Sequence, residues 1–177
     1  MSEGNVVPLS VASKMRLFVV LLGICASGSP AVAATINATV NAGTVKPLTV
    51  AMVQSLNLGT ITLGPGNWTG VTISLSRAGV FSCANPNATC SGARQPATYN
   101  VQGSNGQTVR ISAPNVTMVN QNDPAKTLTL VTDAPATILL TNSGQPGLNF
   151  SVGGSIAINS TTAAGTYVGT FNVTCDY

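Results

Sequence analysis

Apolar side chains recur at every second position along most of this sequence, in short runs that end at Gly, Pro or Asn. A period of two belongs to the β-strand, whose successive side chains point to opposite faces of a sheet. The clearest case is the ending, GTYVGTFNVTCDY, from Gly165 to Tyr177. One face carries Tyr167, Phe171, Val173, Cys175 and Tyr177, and the other Val168, Thr170, Asn172, Thr174 and Asp176. This predicts a half-buried strand running to the last residue, and terminal residues stay ordered only when something ties them down. ATINATVNAG, near the start, alternates as cleanly, with Ile36, Ala38, Val40 and Ala42 against Thr35, Asn37, Thr39 and Asn41.

The stretches between repeat the theme. PLTVAMV and LNLGTITL precede a break at GPGN, and GVTISLS places Val71, Ile73 and Leu75 on one face. ATYNVQG and TVRISA flank SNGQ, whose Asn105-Gly106 suits a tight hairpin turn with positive φ. NVTMVNQNDPAKTLTLVTDA reads as two strands around Asp123-Pro124, and ATILLTN and LNFSVGGSIAINS continue the pattern. No segment carries a helical stripe with capping signals. Short strands at this spacing predict one all-β domain, a single Ig-like antiparallel β-sandwich over residues 34–177.

Residues 1–33 read as a secretory signal peptide. Lys14 and Arg16 precede the apolar run LFVVLLGICASG, and Ala31-Val32-Ala33 supplies a small-residue cleavage site. The stretch before Met15 is weakly basic, which makes Met15 a candidate start, and the mature chain is expected to begin at Ala34. The run is shorter than the roughly 20 residues of a membrane anchor. Cys25 follows Ile24 where a lipoprotein site wants a small residue, so cleavage after Ala33 is the preferred reading. The expected location is the bacterial periplasm or cell surface, with no transmembrane segment after cleavage.

Charged residues make up 6% of the chain, against about 25% in an average domain. Those that remain are scattered singly, which makes no nucleic-acid footprint. Three cysteines survive cleavage. Cys83 and Cys90 bracket ANPNAT, and in an exported protein they are expected to form a disulfide. Cys175 is left alone on the inward face of the last strand, where burial as a small apolar residue is preferred to an intermolecular bridge.

The sequence offers little to a catalytic site. It has no histidine, and its only glutamate, Glu3, lies in the signal region. Asp123 and Asp133 sit at Pro-bearing turns, where Asp is an ordinary turn residue, and Asp176 lies on an outward face. A metal site finds no histidine and no Cys-x-x-Cys pair. The expectation is a non-enzymatic protein with no cofactor and no metal. Asn37, Asn67, Asn87, Asn115, Asn149, Asn159 and Asn172 each start an Asn-x-Ser/Thr triplet, and the abundance of Asn and Thr accounts for much of that count. Trp68, in GPGNWTG, is a candidate ligand contact, weighed against packing over an edge of the sandwich.

NLGTITLGPG, YNVQGSNGQTVRISAP and GTYVGTFNVTCDY together resemble the bacterial secreted family catalogued as domain of unknown function 4402, from about Ala34 to Tyr177. Members of that family are similar to spore-coat-U and archaic chaperone–usher pilins. The resemblance implies an Ig-like sandwich completed by a strand from a neighbour, with a periplasmic chaperone and an usher as partners. Two positions depart from the pilin pattern: Cys175 stands in place of an aliphatic residue, and the last aromatic is the final residue, Tyr177. Strands at both ends, without the lysines that blunt an edge, invite pairing between chains. The expected function is a structural subunit of a fimbria-like polymer. Its donor strand is Ile36, Ala38, Val40 and Ala42, and its acceptor strand Tyr167, Phe171, Val173 and Tyr177. The alternative is a self-complemented monomer that binds or adheres through loops such as GPGNWTG.

Overall fold

The computed structural model describes residues 36–177; the expected signal peptide and cleavage site, Met15, Cys25 and residues 34 and 35 lie outside the described residues. The chain divides into two units between Asn41 and Ala42. In the first, residues 36–41 take no regular secondary structure, and Ile36 and Val40 are 92% and 88% exposed. The described part of the second unit contains strands and no helix.

The strands are β1 (Thr49–Gln54), β2 (Thr60–Leu63), β3 (Val71–Leu75), β4 (Phe81–Ser82), β5 (Ala88–Ser91), β6 (Ala97–Gln102), β7 (Thr108–Ser112), β8 (Val116–Asn120), β9 (Thr127–Asp133), β10 (Thr137–Leu139), β11 (Leu148–Ile158), β12 (Tyr167–Val168) and β13 (Thr174–Asp176). All their pairings are antiparallel. A large sheet runs β1-β6-β11-β9-β8-β12, with β3 on β11 and β4 on β3, and it curls into a half-barrel. β10-β7-β13 and β2-β5 form two smaller sheets.

Burial follows the sequence pattern closely. Val71, Ile73 and Leu75 are buried, as are Ala97, Tyr99 and Val101, and Val109 and Ile111. They sort into two clusters. The first gathers Val71, Ile73, Leu75, Val116, Leu130, Ile156 and Ile158; the second gathers Tyr99, Val101, Val109, Ile111, Leu140, Phe150 and Val152. Leu56 and Phe171 pack against both clusters. Tyr99 and Phe150 stack in the second, with ring centroids 5.5 Å apart.

Two expected connections differ. Gly106 has φ of +76° and the turn closes through the Gln107 N–H donating to Ser104, but β6 and β7 do not form a hairpin. β6 lies between β1 and β11, and β7 between β10 and β13, because Val109 and Ile111 pack against the Tyr99 side of the core from the other sheet. The ending is likewise two strands. β12 pairs with β8 and β13 pairs with β7, and between them Phe171 reaches both clusters as the chain changes sheet. The β8–β9 hairpin around Asp123-Pro124 forms as expected, with the Asp123 carboxylate accepting from the Ala125 N–H at 3.1 Å.

Asn120 is the buried polar side chain of the described residues. Its amide donates to the Ala164 carbonyl at 3.0 Å and accepts from the Asn122 N–H at 2.9 Å. Gly165, at φ +147°, passes so close that any Cβ there would strike the Asn120 amide. This pin holds β12 in place. Asn120→Leu leaves the Ala164 carbonyl and the Asn122 N–H unpaired, and urea unfolding should record a loss of about 3 kcal/mol.

Cys83 and Cys90 form a disulfide, with Cα atoms 6.2 Å apart, and both cysteines pack against the first cluster. Arg94 places its guanidinium 4.5 Å from the centre of the nearby Phe81 ring. Replacing both cysteines by serine should lower stability by about 2–3 kcal/mol, the closure entropy of so short a loop, in the same urea assay.

Candidate functional site

The large sheet ends at β1 on one side and β12 on the other, so each strand has one edge without a partner among the described residues. Between them lies a groove of about 250 Å³. Met52, Ser55, Leu56 and Leu58 form one wall, Gly169, Thr170 and Phe171 the other, and Ala97, Tyr99, Met118 and Leu130 the floor. Val50, Met52 and Val53 of the β1 edge are exposed. The register of β1 against β6 slips between Met52 and Gln54, a bulge that turns the edge at Val53. The groove carries no charged side chain, and β1 has no lysine or proline to discourage a further strand.

The expected acceptor residues divide around this groove. Phe171 lines it. Tyr167 stands on β12 with its hydroxyl donating to the Ala163 carbonyl at 2.8 Å. Val173 and Tyr177 pack against the second cluster. The β1 wall escaped sequence reading, although Val50 and Met52 share a face in TVAMVQ and were a signal for it.

Tyr177 ties down the end of the chain. Its hydroxyl accepts from the Ser104 N–H and donates to the Lys46 carbonyl, both at 2.9 Å, while the Lys46 N–H donates to the Ser104 hydroxyl at 2.6 Å. A Cβ on Gly103 would collide with that phenol, which explains a glycine there. The strand that ends the sequence therefore pairs, through β7, within its own molecule, and its outer edge has no partner among the described residues.

Residues 48–177 match the family described as Domain of unknown function (DUF4402). The chain belongs to this family. Comparison with curated proteins and with solved structures returned no match. The match starts at Leu48, one residue before β1, so the DUF4402 domain contains the whole groove, and residues 36–42 precede it.

Elsewhere in the DUF4402 domain, Trp68 packs against the first cluster and donates its indole N–H to the Gly64 carbonyl at 3.2 Å. It also lines a second cleft, with Asn67 and Asn159. Asp133 caps a turn by accepting from the Arg77 N–H at 2.9 Å, and its carboxylate lies 3.6 Å from the Arg77 guanidinium. Among the described residues no three His, Cys, Asp or Glu side chains gather where they could hold a metal.

Cys175 is a free, half-buried thiol on β13, packed against the second cluster. Burial pushes its pKa up from the ordinary 9.0, and burial also raises that of the Tyr99 phenol. Both groups are neutral when protonated, so the native chain binds these protons more tightly than the unfolded chain. Stability is therefore unaffected below the ordinary thiol value and falls as pH rises through it toward the raised native value. The urea midpoint should stay level between about pH 6 and 8 and decline above about pH 9, and Cys175→Ala should remove the first part of that decline.

Proposed function

We propose that this chain is a secreted, non-enzymatic structural subunit of a fimbria-like surface polymer, assembled by strand addition on an Ig-like framework. The observation that carries this reading is the apolar groove between the open β1 edge and the Gly169–Phe171 wall. An added strand there would gain main-chain hydrogen bonds along β1 and place every second side chain over the floor.

The segment Ile36–Ala42 has the right period for that strand. Ile36, Ala38, Val40 and Ala42 fall on one side, with only Asn and Thr between them. Ile36 and Val40 are almost fully exposed, and covering side chains of this size is worth about 1.5–3 kcal/mol each. Small alanines between them suit a narrow groove. The donor is assigned to a neighbouring subunit, which makes the contact head-to-tail and open-ended, the symmetry that builds fibres. In this reading the acceptor side is broader than the last strand, because Met52 and Leu56 share it with Phe171. A periplasmic chaperone would cover the groove before assembly and an usher would order the exchange. The Cys83–Cys90 disulfide accords with an oxidising compartment outside the cytoplasm.

The mature chain from Ala34, made in an oxidising periplasm, should run as a ladder of oligomers on size-exclusion chromatography with light scattering. Val40→Asp should reduce the ladder to monomer while leaving secretion and the unfolding midpoint of the DUF4402 domain unchanged. Oligomers at wild-type yield in that variant would overturn strand addition by this segment.

A further inference from the structure

The cleft beside Trp68 shares no lining residue with the assembly groove. It is created by the pairing of β3 with β11: Val71 opposes Ile158, so the loop entering β3 and the loop leaving β11 emerge side by side. The Ser160 N–H donates to the Trp68 carbonyl at 3.3 Å and joins the two loops. Each loop is also fixed internally. The Trp68 indole is held by the Gly64 carbonyl. The Asn159 side-chain oxygen accepts from the Thr161 N–H at 3.0 Å and from the Thr161 and Thr162 hydroxyls at 2.8 and 3.2 Å. The space between the loops is about 410 Å³, within the range of about 300–1,000 Å³ that holds small ligands.

Its chemistry is selective. The lining offers an indole, the amides of Asn67 and Asn159, and the hydroxyls of Thr69, Ser160 and Thr161, with no charged group. The side-chain bonds that fix the two loops run through the Trp68 indole, Asn159, Thr161 and Thr162, which leaves the Asn67 amide and the Ser160 hydroxyl to pair with a ligand. A pyranose matches this set: its C–H face lies against an aromatic ring, and its rim of hydroxyls both donates and accepts, as amides and hydroxyls do. A nucleotide or an acidic glycan would require cations that the cleft lacks.

We infer that the Trp68 cleft is a binding site for a neutral saccharide, a role independent of the assembly groove. Trp68 is the only tryptophan in the chain, so its fluorescence reports this site alone. The mature chain is titrated with the methyl glycosides of glucose, galactose, mannose and N-acetylglucosamine, and with that of N-acetylneuraminic acid as the acidic comparator. At least one neutral glycoside should give a saturable change in emission with a Kd of about 1 mM or tighter. Asn67→Ala and Ser160→Ala, which keep the reporter, should each weaken that binding about tenfold at an unchanged melting temperature. No saturable change with any neutral glycoside, preference for the acidic one, or full affinity in both variants would each overturn the assignment.

Discussion

The fold hangs on β11. This eleven-residue strand pairs with β6 through Leu148–Val152, with β9 through Gly153–Ile156 and with β3 through Gly154–Ile158. Its first half puts Phe150 and Val152 into one hydrophobic cluster, and its second half puts Ile156 and Ile158 into the other. The handover falls at Gly153-Gly154. A Cβ on Gly153 would strike the Leu75 carbonyl, and one on Gly154 would come within 2.8 Å of Leu130. Two adjacent residues without side chains let three strands converge on one, and the large sheet curls around that point. Both candidate sites descend from it. The groove opens where the curl leaves β1 and β12 unjoined, and the Trp68 cleft lies where β11 ends beside the start of β3.

How much of this could be read in advance depended on whether the cause was local. Val71, Ile73 and Leu75 announced their faces, and so did the residues of the ending: Tyr167, Phe171, Val173, Cys175 and Tyr177 are all half-buried, while Val168, Thr170, Asn172, Thr174 and Asp176 are all exposed. The alternation was right even where the strand was not. Period two reports which side faces the core, and it says nothing of which sheet supplies the partner, so β12 and β13 looked like one element. The Asn105-Gly106 turn misled for the same reason. Its chemistry requires a tight reversal, but whether the two arms pair or part is decided by Val109 and Ile111 packing across the core. The β1 wall was half legible. Val50 and Met52 share a face in TVAMVQ, but alternation marks a strand without saying what stands opposite it, and Phe171 across the groove comes from a distant part of the chain.

The polar residues do here what charges do in most domains. One ion pair, Arg77–Asp133, is present among the described residues, and both its side chains are substantially exposed, so it adds little. Turns are closed by Asn and Asp side chains accepting from backbone N–H groups two residues on, at Asn57, Asn85, Asn120, Asp123 and Asn159. Among the described residues no buried side-chain nitrogen or oxygen lacks a partner. Amides and hydroxyls can satisfy a backbone in this way without repelling a neighbouring chain.

That choice bears on function. A lysine along β1 or β13 would discourage another strand from docking, whereas β1 has only Thr49 and Gln54 as polar residues and β13 has a single charge, Asp176. Asn, Ser and Thr make the loops beside Trp68 polar but uncharged. Low charge therefore links the two proposals physically, since a surface whose polarity is carried by amides and hydroxyls accepts both a β-strand and a sugar. The termini show how such a surface keeps its own shape. Tyr177 needs no charge to hold the end of the chain, because one phenol hydroxyl joins the chain end to Ser104 and to Lys46, the residue through which the N-terminal segment enters the domain. With its last residue held in this way, β13 keeps its register on β7, and the unpaired edges that remain are a matter of topology rather than of fraying.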